Sequence, residues 1–181
     1  MKELFKKYLL KAKKENKLVS FRTNTEETEK FSVGYIIGIN DEIVNVKSVN
    51  PNGLPDGILM IRLKDIYEID TDDKYIKRLE LKIKNQKNIL RDISIPPYFY
   101  DYEYNMFLIL QKSKEKNQLI YINFYHGGFY GYVKELTQEE LLFEIYTEYG
   151  EYDGLSVFLI EDVKNIISDD IDNRSVELQK K

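Results

Sequence analysis

A chain of 181 residues with 43% hydrophobic and 32% charged side chains has the composition of a folded globular protein rather than a disordered one. The lack of cysteine excludes disulfides and thiolate metal sites, and a single histidine argues against a histidine-built metal set or catalytic triad, so no cofactor or metal is expected. No stretch approaches the roughly 20 apolar residues of a membrane span. The first residues, Met1 to Lys7, hold no apolar run of the kind a secretory leader needs, so a cytoplasmic location is expected.

The net charge of −4 hides an asymmetry. Residues 1–100 carry 19 Lys/Arg against 15 Asp/Glu, whereas residues 101–181 carry 8 against 16. Opposite charge on two halves can serve contact between them or give each a different partner.

In chain order, Met1 to Asn16 reads as an amphipathic helix, with Leu4, Phe5, Tyr8, Leu9 and Ala12 at helical spacing and lysines between them. Leu18 to Arg22 begins the first strand, and a polar loop follows to Lys30. Phe31 to Ile39 and Ile43 to Val49 are strands joined by the turn Asn40-Asp41-Glu42. The turn-rich stretch 50–57 leads to a fourth strand, Ile58 to Leu63. Lys64-Asp65 is too short for a loop, so the chain pivots there into a fifth strand, Ile66 to Ile69. A second helix, Asp72 to Asp92, carries an apolar stripe and a basic face, and Pro96-Pro97 ends its neighbourhood because proline lacks the amide proton.

The same plan then returns. Shifted by 97 positions, Gly34-Tyr35-Ile36 falls on Gly131-Tyr132-Val133, Gly53 on Gly150, Asp56-Gly57 on Asp153-Gly154, and Leu63-Lys64-Asp65-Ile66 on Ile160-Glu161-Asp162-Val163. Leu141, Phe143 and Tyr146 replace Val44, Val46 and Val49. The helix at Met106, Ile109 and Leu110 repeats the first at an offset of 101, the difference being a shorter first hairpin turning at His126-Gly127-Gly128. The expected domains are 1–92 and 103–181, joined by a Pro/Tyr-rich linker over 93–102. Each copy is near the roughly 80 residues at which a single core begins to stabilise itself.

Five short strands behind a helix, with a near-direct step from fourth to fifth, suggest a bent sheet that closes to protect its edges. This pattern resembles the Sm-like and SH3-type small barrels, and uncharacterised small proteins of low-GC Gram-positive bacteria with the same Gly-x-x-Asp-Gly turn and Leu-x-Asp-Ile step. The resemblance implies an α+β chain, mainly β: two tandem five-stranded barrels, each preceded and followed by a helix.

His126-Gly127-Gly128 would suit an oxyanion loop, but the Gly-x-Ser-x-Gly elbow that such chemistry requires is missing, and a hairpin turn accounts for the tripeptide. The recurring Asp56/Asp153 and Asp65/Asp162 lie where carboxylates cap backbone amides. No phosphate loop or dinucleotide fingerprint is present. The chain therefore reads as a non-enzyme.

Sm-like relatives that bind uridine carry an Arg-Gly or similar pair between the last two strands. Here that junction is Lys64-Asp65 and Glu161-Asp162, and acid there opposes a phosphate chain. RNA binding through Lys77, Arg78 and Lys84 stands as the alternative. The more distinctive feature is tyrosine joined with acid: 11 of the 15 tyrosines lie between Tyr98 and Tyr152. Tyr130, Tyr132, Tyr146, Glu148, Tyr149, Glu151 and Tyr152 form the candidate binding set, since tyrosine gives contact area at low entropy cost and carboxylates steer a basic partner. The expected function is an immunity protein or inhibitor engaging a basic toxin or nuclease.

Overall fold

A computed structural model describes residues 3–93, 95 and 105–180. The aromatic run Tyr98 to Tyr104 and most of the expected linker lie outside the described residues. The chain divides into two compact units, Met1–Lys84 and Asn85–Lys181. The segment 85–92, assigned to the first repeat from its sequence, thus lies in the second unit.

In the first unit, helix α1 (Glu3–Glu15) precedes strands β1 (Leu18–Arg22), β2 (Ser32–Ile39), β3 (Ile43–Val49) and β4 (Pro55–Arg62). A single 3-10 turn over Leu63–Asp65 pivots the chain into β5 (Glu68–Asp70), and helix α2 (Lys74–Lys84) closes the unit. In the second, a short helix α3 (Gln86–Ile89) comes first, then α4 (Met106–Glu115), β6 (Ile120–Phe124), β7 (Gly127–Leu136), β8 (Glu140–Tyr146) and β9 (Tyr152–Leu159). A second 3-10 turn, Ile160–Asp162, leads to β10 (Val163–Ser168) and helix α5 (Ile171–Gln179).

Both sheets are antiparallel and have the same strand order, β4-β3-β2-β1-β5 and β9-β8-β7-β6-β10. The chain is thus an α+β protein with two five-stranded sheets. Among the described residues no ladder joins β4 to β5 or β9 to β10, so each sheet remains open where a barrel would close. The first hairpin of the second unit turns on Tyr125-His126, one residue earlier than its sequence suggests, with Phe124 opposite Gly127.

Each sheet is apolar on both faces, and a helix covers each. Leu9 and Ala12 of α1 pack with Val19, Phe21, Val44, Val46 and Ile66 on one side. Ile76 and Leu79 of α2 pack with Leu18, Val33 and Val49 on the other. The second unit repeats this with Leu110 against Ile120, Ile122, Leu141 and Phe143, and with Val176 of α5 against Leu119, Tyr132 and Tyr146.

The repeat at 97 continues past the strands into the helices. Asp73 accepts a hydrogen bond from the Ile76 amide at 2.7 Å, and Asp170 accepts one from the Asn173 amide at 2.7 Å. These two carboxylates, rather than Asp56, Asp65 or their copies, do the capping among the described residues. Replacing either Asp73 or Asp170 by alanine leaves an amide of the first turn unpaired and should cost its unit about 1 kcal/mol, measurable by urea unfolding. Further along, Lys82 Nζ donates to the Pro51 carbonyl at 3.2 Å, and Gln179 Nε2 donates to the Glu148 carbonyl at 3.4 Å. Gly53 and Gly150, at φ +79° and +72°, bring those turns against the same helix ends; a Cβ on Gly150 would lie 2.8 Å from Gln179 backbone.

One feature of the second unit has no copy among the described residues of the first. Arg174, 6% exposed, donates from Nη1 to the carbonyls of Ile89 (2.6 Å) and Arg91 (2.8 Å), and forks onto Asp169 from Nε (2.9 Å) and Nη2 (3.0 Å). Arg91 also pairs with Asp169 at 2.6 Å. Ile89 is fully buried beside them. This clamp ties the segment 86–91 to Asp169 and α5, within the second unit.

Candidate functional site

The binding set expected in the second half separates into two groups. Tyr132 and Tyr146, at 4% and 9% exposure, are buried under α5, with Tyr130 half-buried against them. The physical reason is their place in the repeat: Tyr132 stands where Tyr35 does, and Tyr146 where the core residue Val49 does. Burial holds the Tyr132 phenol above its ordinary pKa. Tyr149 is half-buried in the turn before β9. Burial removes Tyr132 and Tyr146 from the surface a partner can reach, whereas Tyr130 and Tyr149 keep part of theirs.

Glu148, Glu151 and Tyr152 do face outward. The Tyr152 ring is 60% exposed and meets Tyr146 edge-on at 5.9 Å, while Tyr146 meets Tyr132 edge-on at 5.8 Å. The outermost member of an aromatic stack is therefore presented at the surface and braced from behind. The same stack already holds a cation: Lys180 Nζ lies 4.0 Å from the Tyr132 ring centroid and 4.8 Å from that of Tyr146. Such contacts are worth roughly 0.5–1 kcal/mol where water still reaches them.

Sequence reasoning missed the residues beside Tyr152. Leu155 and Val157 are 54% and 64% exposed, and Leu159 continues the same face of β9. The run Leu155-Ser156-Val157-Phe158-Leu159 is apolar at four of five positions, so no alternation indicates which face is covered. With Glu148, Glu151 and Asp153 exposed at its head, this strand forms an apolar stripe with an acidic end.

On α2, Lys77 and Lys84 are exposed seven residues apart on one helix face, whereas Arg78 is half-buried. His126 sits exposed in its two-residue turn. In the first unit a groove between α1 and β5 is lined by Phe5, Tyr8, Tyr67 and Asp70, but Asp70 already accepts from Ser20 at 2.8 Å and is ion-paired with Arg22. Among the described residues no three His, Asp or Glu side chains converge as a metal set, and no helix is long and apolar enough to cross a membrane. No protein-family model, curated protein or solved structure matches the chain.

Proposed function

We propose that this chain is a non-enzymatic, cytoplasmic protein-binding module of tandem Sm-like descent whose second unit engages a basic protein surface, as an immunity protein or nuclease inhibitor would. The observation that carries the reading is the outer face of β9: exposed Leu155, Val157 and Leu159 beside Tyr152, with Glu148, Glu151 and Asp153 at one end. An apolar centre with a charged rim is the anatomy of a protein interface, and a braced tyrosine is a common anchor. The shared strand order and the helix ahead of each sheet support the Sm-like part of the reading.

Affinity capture with the whole chain as bait should retain a basic protein. The double variant Tyr152→Ala with Val157→Asp should weaken that binding by at least about tenfold, equivalent to 1.4 kcal/mol. Unchanged capture by a folded double variant would sink the reading.

RNA binding is the second reading, favoured by the shared exposure of Lys77 and Lys84. A salt series separates the two, because phosphate contacts lose affinity steeply with salt. Loss of RNA retention on Lys77→Ala with Lys84→Ala would support it.

A further inference from the structure

The stripe on β9 has a counterpart in the first unit. β4 and β9 are each the last strand at one edge of their sheet. On the outer face of β4, Ile58 and Met60 are 75% and 66% exposed, and they stand 97 residues before Leu155 and Val157. Exposed apolar edge strands invite pairing, and folded proteins blunt them with charge or cover them. Here the same location is left apolar in both units.

Both stripes have an exposed aspartate at their head, Asp56 and Asp153, but the charges flanking them along the ladders are opposite. Across the first sheet Ile58 lies opposite Lys47 and Arg62 opposite Ile43, so the stripe is flanked by Lys47 and Arg62. Across the second, Leu155 lies opposite Glu144 and Leu159 opposite Glu140. Glu144 is paired with Lys134 at 3.3 Å, which leaves Glu140 as the acid that most sets the sign of this face. The difference extends to the whole units: residues 1–84 hold 17 Lys/Arg and 14 Asp/Glu, whereas 85–181 hold 10 and 17.

We infer that the basic surface engaged by the second unit is the first unit of another copy of this chain. The Ile58–Met60 stripe docks on Leu155, Val157 and Leu159, with Lys47 and Arg62 facing the Glu140 and Glu144 side. This rests on the binding surface proposed above and seats a second copy there in place of a foreign basic protein. The apolar stripes supply the burial, and the opposed charges select unlike faces over like ones. Two chains making this contact reciprocally bury all four stripes and close as a dimer, whereas a single contact per pair would propagate as a filament.

Sedimentation of the full chain over a range of concentrations tests this. Wild type should associate, and Met60→Asp or Val157→Asp should each weaken association at least about tenfold. Two charge variants decide between chains and within one chain: Lys47→Glu with Arg62→Glu, and Glu140→Lys with Glu144→Lys. Each alone should dissociate, and an equimolar mixture should reassociate, because mixing restores opposite charge at both contacts. Thermal unfolding of each variant confirms that it folds, and Met60→Ser and Val157→Ser stand in for an aspartate variant that does not. A wild type monomeric at every concentration, or a mixture that stays dissociated, overturns the inference. If the wild type is monomeric but Val157→Asp still abolishes capture of a basic protein, the inference fails and the binding reading survives; if Val157→Asp alters neither, both fall.

Discussion

Replacing Arg174 by methionine should destabilise the second unit by about 3 kcal/mol, the lower end of what removing one member of a buried ion pair costs. Methionine keeps much of the volume, so the loss is electrostatic. The Ile89 and Arg91 carbonyls lose their donor, and Asp169 loses the fork that neutralises it. For a unit of this size, the midpoint of thermal unfolding should fall by roughly 10–20 °C. Segment 86–91 should also lose its hydrogen-exchange protection before the sheet does, because its ties to α5 include the two carbonyl bonds. Protection of 86–91 equal to wild type would refute the clamp.

The same site sets a pH dependence. Hydrogen bonding from Arg174, with its charge and that of Arg91, holds the Asp169 carboxyl below the ordinary carboxylate range. A group depressed in the folded state binds fewer protons there than when unfolded. Its stabilisation is therefore complete above the ordinary carboxyl pKa and is lost as pH falls through the lowered one. The wild type should lose more stability on acidification than Asp169→Asn, measured by urea unfolding between neutral and acid pH.

Much of the fold was legible because the constraints are local. Asn40 and Thr137 sit 97 apart and accept from the same two amides of their turns, so the turn persists although the residue changed. The pivots at Lys64-Asp65 and Glu161-Asp162 were readable from a step too short for a loop, and each is a single 3-10 turn. The burial of Tyr146 was also within reach, since alignment with Val49 marks a core position; its aromatic and acidic neighbourhood suggested a surface instead. The partition at Lys84 was not readable. It depends on Arg174 meeting carbonyls more than 80 residues away, and no periodicity encodes such a bond. The helical stripe through Ile83 and Leu90 favours one continuous helix, yet Ile89 is fully buried while Leu90 is 40% exposed. The face of β9 escaped for a different reason: Leu155, Val157 and Leu159 are apolar yet exposed, so the pattern does not alternate with the covered face.

Gly131→Ala should be as damaging as the loss of Arg174, from a single added methyl. A Cβ at Gly131 would collide with the Glu144 carbonyl and stand 2.7 Å and 2.9 Å from Cε1 and Cζ of Phe143. Neither obstacle can yield. The carbonyl belongs to the β7–β8 ladder, where Gly131 faces Ile145, and Phe143 is fully buried in the core. Close approach of backbones at this point lets β7 cross tightly over its neighbour, and only glycine leaves the room. Overpacking of a filled core costs typically 1–3 kcal/mol and more where backbone must move, so about 3 kcal/mol is expected from urea unfolding. Gly34→Ala should behave alike in the first unit, because its Cβ would meet the Lys47 carbonyl and Val46 Cγ1. Gly154→Ala is the control. At φ +115° it is strained, but nothing lies within 4 Å of its Cβ. Its cost should be that of a disfavoured backbone angle, of order 1–2 kcal/mol. If Gly131→Ala proved no worse than Gly154→Ala, the strands would have to be free to separate there, and the tight crossing could not be what shapes either sheet.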